Sequence, residues 1–123
     1  MASKLQVLVT EDDLQLRETL AQHLTEEGYD VFTAADGNEA IPMLHGRQFH
    51  LVILDLSMPY IDGFQVLQFI KATFPTTKVV VVTAYADLKN IKKSRELGAD
   101  EVIGKPYNLA HLFEVIEKLL KSE

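Results

Sequence analysis

Two short segments of this chain consist entirely of aliphatic residues, and they constrain the fold more than any other feature of the sequence. Residues 51–54 read LVIL and residues 79–82 read VVVV. A strand with one face in water alternates apolar and polar residues, whereas a strand that is apolar throughout is buried on both faces. Such strands belong to parallel sheets that helices cover on both sides. The two segments therefore predict an α/β protein.

Strand-like and helix-like segments alternate along the chain. Strands are predicted at residues 5–10, 30–34, 51–54, 78–83 and 101–103. Helices are predicted around residues 16–24, 37–45, 64–70, 88–97 and 109–119, where apolar residues recur every three or four positions. Five such repeats with right-handed crossovers predict a flavodoxin-like (βα)5 doubly wound parallel sheet with strand order 2-1-3-4-5.

Three glycines and one proline refine the helix boundaries. Gly28, Gly46 and Gly98 each follow a predicted helix, where a residue in the left-handed conformation commonly ends the helix. Pro42 lies inside the second predicted helix, where its ring clashes with an earlier carbonyl. We therefore expect that helix to be kinked or to begin late.

Composition narrows the class of protein. The 123 residues, about the size of one ordinary domain, predict a single domain over residues 1–123. With 18 acidic and 12 basic residues the net charge is −6, which argues against direct nucleic-acid binding. Cysteine is absent, which excludes disulfides and thiolate metal sites and agrees with a cytoplasmic location. The sequence contains neither a signal peptide nor an apolar stretch of about 20 residues, so we expect no membrane span.

Carboxylates follow two of the predicted strands at the point where each strand ends. Glu11, Asp12 and Asp13 follow the first strand, and Asp55 follows the third. The carboxyl ends of parallel strands share one edge of the sheet, and ligands bind there between strands 1 and 3. Converging carboxylates repel one another and require a cation when they are ionised. Oxygen ligands without Cys or His suit Mg²⁺, so the sequence predicts a magnesium site.

Two further polar residues lie at the ends of the fourth and fifth strands. Thr83 ends the fourth strand and Lys105 follows the fifth. A carboxylate beside a metal can attack phosphorus and form an aspartyl phosphate, and a hydroxyl and an ammonium can stabilise the charge of the transition state. Each residue alone has a simpler explanation, such as a helix cap, a strand residue or a surface lysine. Their occurrence at successive strand ends favours phosphoryl transfer.

The chain resembles the receiver domains of two-component response regulators. The resemblance rests on VLVTEDD at residues 7–13, DLSMPYIDG at 55–63, VTA at 82–84 and KP at 105–106. It implies a phosphorylation-dependent signalling switch in a phosphorelay, which promotes its own phosphorylation and dephosphorylation and is not an enzyme on a separate substrate. The phosphoryl donor would be a sensor histidine kinase or a histidine phosphotransfer protein. The face formed by helix 4, strand 5 and helix 5 would pass the signal to a downstream effector or a fused output domain, and we expect a monomer.

The resemblance also assigns roles to the acidic residues. Asp55 would accept the phosphoryl group, Asp12 would bind Mg²⁺ directly, Glu11 would act through water, and Ser57 would offer its backbone carbonyl to the metal. Asp13 would then be a helix cap. A shift of the acidic pair by one residue, to Asp12 and Asp13, remains open.

The remaining roles concern the phosphoryl group itself. Thr83 would move toward it, Lys105 would bind it, and the bond between Lys105 and Pro106 would be cis, which only an X–Pro bond adopts at small cost. Ala84 is small and would leave phosphodonors a path to Asp55.

One position departs from the family pattern. The family often has an aromatic switch residue three positions before the lysine, and Val102 stands there. Tyr85, two residues after Thr83, is an alternative switch aromatic, although a half-exposed loop residue is an equally good explanation for it.

Two other classes of protein fit less well. Phosphohydrolases with an aspartate nucleophile place a second Asp two residues later, where this chain has Ser57. A pseudo-receiver that only binds protein would have lost an acidic residue, Thr83 or Lys105, and all of these are present.

Overall fold

The protein is described by a computed structural model that covers residues 4–57 and 62–121, so residues 58–61 of the DLSMPYIDG motif lie outside the described residues. The strands are β1 Gln6–Thr10, β2 Asp30–Ala34, β3 Leu51–Asp55, β4 Lys78–Thr83 and β5 Glu101–Gly104. The helices are α1 Leu14–Glu26, α2 Gly37–Gly46, α3 Gly63–Thr73, α4 Leu88–Glu96 and α5 Leu109–Lys121. The strands form one parallel sheet in the order β2-β1-β3-β4-β5. The predicted fold class and strand order are confirmed.

The core consists of one apolar layer on each side of the sheet. Leu8, Val52 and Val81 pack with buried residues of α2 and α3. Their neighbours along the strands, such as Val7 and Ile53, pack with buried residues of α1 and α5. Because successive side chains of a strand point to opposite faces, aliphatic strands of this kind fill both layers at once.

Two of the three glycine predictions are correct. Gly28 and Gly98 have φ angles of 99° and 103°, the left-handed conformation that an L side chain rarely adopts. Gly46 is instead the last residue of α2, and Arg47 after it is extended, with φ −157° and ψ 146°. The chain leaves α2 directly in an extended conformation, so no left-handed residue is required there.

Pro42 does not delay the start of its helix. α2 begins at Gly37, where the Asp36 side chain accepts a hydrogen bond from the Glu39 amide at 3.0 Å, and the helix continues through Pro42. Ala40 and Leu44 on either side of Pro42 are both buried. Their packing offsets the helical hydrogen bond that a proline cannot donate.

Helix α4 is the most polar of the helices. Only Ser94 is buried within it, and Leu88 at its start is 88% exposed. Such weak burial leaves α4 with little apolar contact to stabilise one position, which is typical of segments that move in a switch. Within the described ranges, the helices are all too short or too polar to cross a membrane.

Candidate functional site

The strand order brings two buried carboxylates together at one edge of the sheet. β1 and β3 are neighbours, with Thr10 opposite Leu54, so Glu11 and Asp55 emerge side by side. Glu11 is 3% exposed and Asp55 is 2% exposed. Asp12, the next residue after Glu11, is exposed to solvent. Glu11, Asp12 and Asp55 form an acidic cluster, in which one carboxylate oxygen from each residue lies within 4.8 Å of the others.

Lys105 neutralises part of this negative charge. Its Nζ lies 2.6 Å from Glu11 Oε1 and 2.9 Å from Asp55 Oδ2, and its side chain is only 20% exposed. The backbone of Lys105 is fixed by its N–H, which donates to the Thr83 carbonyl at 2.8 Å. The Lys105–Pro106 bond is cis. One ammonium thus faces two buried carboxylates, and an excess negative charge remains.

Burial and a shared cation shift the pKa values of this cluster. Burial raises the pKa of Glu11 from 4.5 to about 7, and the nearby Asp55 carboxylate adds to that rise, while the hydrogen bond from Lys105 opposes it. For Lys105 burial alone lowers the pKa, but the hydrogen bonds to Glu11 and Asp55 outweigh burial, so its pKa lies above the ordinary value. When no second cation is bound, the protonated form of Glu11 is therefore favoured more than that of an ordinary glutamate.

The three carboxylates fit a hard divalent cation. Their ligand atoms are all oxygens, they converge within the reach of one ion, and one of the three residues is open to solvent. Mg²⁺ prefers this donor set, because it binds through a few carboxylates and keeps several waters on its open side. Asp13 caps α1, since its Oδ1 accepts the Leu16 amide at 2.9 Å.

The loop after β3 holds Asp55 in place. Asp55 Oδ1 accepts a hydrogen bond from the Ser57 amide at 3.0 Å, while Oδ2 contacts Lys105. Gly63 at the start of α3 permits a close approach to this loop, since a Cβ there would lie 2.5 Å from the Cα of Leu56. A larger residue at position 63 would clash with the Leu56 backbone and so disturb the loop that holds the Asp55 carboxylate.

Thr83 lies at the end of β4, next to Asp55 in the sheet order. It is 1% exposed, and its Oγ1 accepts the Tyr85 amide at 3.0 Å. A hydroxyl that accepts one hydrogen bond still has a proton to donate. Movement of this hydroxyl would break its bond to the Tyr85 amide, so the position of Thr83 is coupled to the loop between β4 and α4.

The family model named response regulator receiver domain matches residues 7–117. This chain belongs to that family. Receiver domains are signalling domains of two-component systems and act through phosphorylation, so the resemblance found in the sequence is confirmed. They are not enzymes in the usual sense of acting on a separate substrate.

The receiver domain is similar to curated proteins of different lengths. It is 32% identical over 114 residues to sporulation initiation phosphotransferase F of Bacillus subtilis, covering 93% of this chain and 92% of that protein. It is 36% identical over 117 residues to the transcriptional regulatory protein TcrA of Mycobacterium tuberculosis, covering 95% of this chain. There the chain spans only 46% of the length of the relative.

Solved structures share the fold. A CheY-like response regulator receiver domain protein from Methanospirillum hungatei has a TM-score of 0.93 with 33% identity, covering 96% of this chain and 94% of the other. The non-phosphorylated HemR receiver domain from Leptospira biflexa has a TM-score of 0.92 with 32% identity, covering 98% and 97%.

Three other positions singled out in the sequence lie in the loop after β4 and in β5 of the receiver domain. Ala84 and Tyr85 lie in the loop after β4, and Tyr85 is 63% exposed. Val102 in β5 is half-buried against the core layer that contains α2 and α3. Tyr85 therefore lies on the surface, and position 102 offers only a short branched side chain.

One residue that contacts this region was not anticipated. Arg17, in the first turn of α1, donates from Nη1 to the backbone carbonyl of Glu11 at 2.8 Å and approaches that of Asp12 at 3.4 Å. Its only signal in the sequence is a basic residue near a helix N-terminus, where the helix dipole disfavours a cation. That signal is too weak to identify the contact.

Proposed function

We propose that this receiver domain is a Mg²⁺-dependent phosphorylation switch whose phosphoacceptor is Asp55. The observation that carries the proposal is a buried carboxylate at the end of the central strand, in contact with Lys105 and within the reach of two other carboxylates. A carboxylate in that position is a nucleophile with charge-stabilising groups around it. A cap or a solvated loop residue would not need these neighbours.

The metal-binding residues in this proposal are Asp12 and Asp55 through their carboxylates, Ser57 through its backbone carbonyl and Glu11 through water. A bound Mg²⁺ would supply positive charge to the phosphoryl oxygens. Asp12 is exposed and can offer its carboxylate without first losing a buried partner. Glu11 is tied to Lys105 and carries a raised pKa, which agrees with a less direct role.

Phosphoryl transfer would proceed by in-line displacement at phosphorus. An Asp55 oxygen attacks, the bond between phosphorus and the donor's imidazole nitrogen breaks, and the imidazole takes up a proton as it leaves. Lys105 already contacts Asp55 and need only turn its Nζ to an oxygen of the incoming group. Thr83 donates its hydroxyl proton to another phosphoryl oxygen, and the small side chain of Ala84 leaves the donor a path.

The partners in this proposal follow from the exposed surface around the site and from the relatives. Leu14 at the start of α1 is 58% exposed and directly follows the acidic residues 11–13. A histidine kinase or a phosphotransfer protein would dock there. One relative is a phosphotransferase and another a transcriptional regulator, which agrees with such donors and with a downstream effector or fused output domain. The face of α4, β5 and α5 would change its partner binding, and residues 1–123 would form one monomeric receiver domain.

The experiment is phosphorylation by a small donor with a matched acidic control. Intact-protein mass spectrometry after incubation with acetyl phosphate and Mg²⁺ should show one added phosphoryl group. Asp55→Asn should lose it, whereas Asp62→Asn should keep it, because Asn also caps a helix and Asp62 caps α3. A chelator should abolish labelling. Labelling of Asp55→Asn at the wild-type rate would refute the assignment.

A further inference from the structure

We propose that Arg17 is a positioning residue that fixes the backbone of the acidic loop, residues 11–13, and thereby sets the affinity of the site for Mg²⁺. The inference rests on the proposed function in one respect: Glu11 and Asp12 must be the residues that serve the metal. It adds a residue outside the acidic cluster, on a helix, that acts only through main-chain atoms.

The contacts of Arg17 reach three successive carbonyls. Its backbone N–H donates to Asp13 at 2.9 Å, as a helical residue does. Its side-chain Nη1 donates to the carbonyl of Glu11 at 2.8 Å and lies 3.4 Å from that of Asp12, the weaker of the two side-chain contacts. One residue therefore ties down the whole connection between β1 and α1.

Fixing these carbonyls fixes the carboxylates. The direction in which a side chain leaves the backbone depends on the two peptide planes beside it, and Arg17 bonds the peptide that joins Glu11 to Asp12. Within the loop, Glu11 is also held by its N–H to Ala34 at 3.0 Å, and its Oε2 accepts the Asp13 amide at 3.2 Å. Asp12 is exposed and has fewer anchors of this kind within the described part of the chain, so it depends most on Arg17.

The placement of a cation here is otherwise unfavourable. A positive charge near the N-terminus of α1 opposes the helix dipole. Near a cation site it also repels the metal. Both side-chain contacts come from Nη1, whose N–H groups are fixed in the plane of an always-ionised guanidinium. A lysine ammonium carries the same charge, but its N–H groups rotate at the end of a flexible stem.

A positioning role and a purely electrostatic role predict opposite results. If Arg17 acted only through charge, its removal would strengthen Mg²⁺ binding by relieving repulsion. If it positions the loop, its removal weakens binding, even though a repelling charge has been lost. Arg17→Lys separates the two further, since it keeps the charge and loses the planar guanidinium that holds Nη1 against the loop carbonyls.

The test compares Arg17→Gln and Arg17→Lys with Arg95→Gln. Arg95 pairs with Glu101 in a largely exposed ion pair, so its replacement makes the same change in net charge away from the site. Mg²⁺ affinity is measured by calorimetric titration, and hydrogen exchange of the Asp13 amide is measured by NMR in metal-free protein. Both Arg17 variants should bind Mg²⁺ about tenfold more weakly, the usual effect of losing an outer-shell partner. Both should also exchange the Asp13 amide faster, while Arg95→Gln matches wild type.

Two outcomes overturn the proposal. Tighter Mg²⁺ binding by Arg17→Gln would mean that the guanidinium acts by charge alone, and unchanged affinity together with unchanged exchange would mean that it does not position the loop. Arg17→Lys keeps the aliphatic stem and the charge, and it decides the matter if Arg17→Gln folds poorly. Failure of the proposed function would look different: wild type would take no phosphoryl group at Asp55, whereas the metal-free exchange measurement would still report on Arg17.

Discussion

At the residue scale, Glu11 is a buried carboxylate that destabilises the metal-free fold when it is ionised and that favours the binding of a cation. Its carboxylate is 3% exposed and shares the Lys105 ammonium with Asp55. Removal from water disfavours its ionised form, and a neighbouring carboxylate does the same. A second cation reverses both effects, so metal binding and proton release at Glu11 are expected to be linked.

The pKa of Glu11 predicts how metal-free stability depends on pH. Because its pKa rises from 4.5 to about 7 on folding, the unfolded chain releases this proton at a lower pH than the folded chain. The contribution of Glu11 to stability is full below 4.5 and is lost as pH rises to about 7. Denaturant unfolding across this range should show a loss on the order of 1–3 kcal/mol. Glu11→Gln should make the free energy of unfolding less dependent on pH in this range, whereas Glu18→Gln on the exposed side of α1 should not. Equal slopes in wild type and Glu11→Gln would contradict this linkage.

Asp12 and Asp13 are neighbours with different predicted roles. Asp13→Ala removes the N-cap of α1 and should lower the free energy of unfolding by about 1 kcal/mol with little effect on Mg²⁺ affinity. Asp12→Ala removes an exposed ligand and should weaken Mg²⁺ binding by more than about tenfold, on the order expected for a direct ligand rather than an outer-shell partner. Titration and chemical unfolding of both variants decide the register. The reverse pattern would shift the acidic pair by one residue.

The residues that could be found from sequence are those that stand at strand ends. Asp55, Thr83 and Lys105 follow from the alternation of strands and helices, because parallel strands bring their carboxyl ends to one edge. Arg17 could not be found in this way. It acts on backbone carbonyls, and neither periodicity nor side-chain chemistry reports such a contact.

At the scale of elements, the loop between β4 and α4 connects the acidic cluster to the polar helix α4. Thr83 Oγ1 holds the Tyr85 amide at the start of the loop, and Ala86 lies against β5, where a Cβ at Gly104 would approach its Cβ to 3.0 Å. A shift of Thr83 toward a phosphoryl group would therefore pull a loop that rests closely on β5. A change in order around a phosphate is a common switching mode.

This arrangement predicts a switch that runs through Thr83 without an aromatic at position 102. Val102 has no ring to rotate, and a β-branched side chain has few rotamers to exchange. Thr83→Ala should still accept phosphate at Asp55 but should lose most of the α4 amide shifts that beryllofluoride, a phosphoryl mimic, induces. Val102→Ala should cost about 1 kcal/mol of stability and keep those shifts. Retained shifts in Thr83→Ala with lost shifts in Val102→Ala would contradict the mechanism.

Element boundaries were predictable where packing agrees with local preference, and less so elsewhere. The predicted strands agree with the observed ones at seven of ten ends and differ by one residue at the other three, since aliphatic runs of this kind fit only a buried strand. The expectation for Gly46 was wrong because the chain leaves α2 in an extended conformation at Arg47. The late start expected from Pro42 was wrong because Asp36 caps α2 at Gly37 and because Ala40 and Leu44 are buried. Local rules for glycine and proline do not include that packing.

At the scale of the whole molecule, the carboxylates of the site repel one another, and the rest of the fold is stable enough to hold them together. Glu11 and Asp55 are buried beside one another with one lysine between them, and Asp12 adds a third negative charge at the surface. Ligands that bind only the folded chain stabilise it by mass action. The repulsion between the carboxylates therefore lowers the stability of the metal-free protein, and the same negative charge favours binding of a cation.

Both Mg²⁺ binding and the loss of the Asp55 charge should therefore stabilise the folded protein. Mg²⁺ well above its dissociation constant should raise the melting temperature of wild type. Asp55→Asn should raise the metal-free melting temperature by a few degrees, as expected for about 1 kcal/mol in a domain of this size. The same variant should gain less from Mg²⁺. Calorimetry with and without metal tests both, and a metal-free Asp55→Asn that melts well below wild type would mean that Asp55 is structural.

The most direct test of the central claim is to locate the phosphoryl group chemically. Borohydride reduces an acyl phosphate to an alcohol, so a phosphorylated aspartate becomes homoserine while a free carboxylate is unchanged. After acetyl phosphate and Mg²⁺ treatment, reduction and peptide mass spectrometry, we expect homoserine at position 55 and intact aspartates at Asp12 and Asp13. Reduction at Asp12 or Asp13, with Asp55 unmodified, would contradict the assignment of Asp55 as the phosphoacceptor.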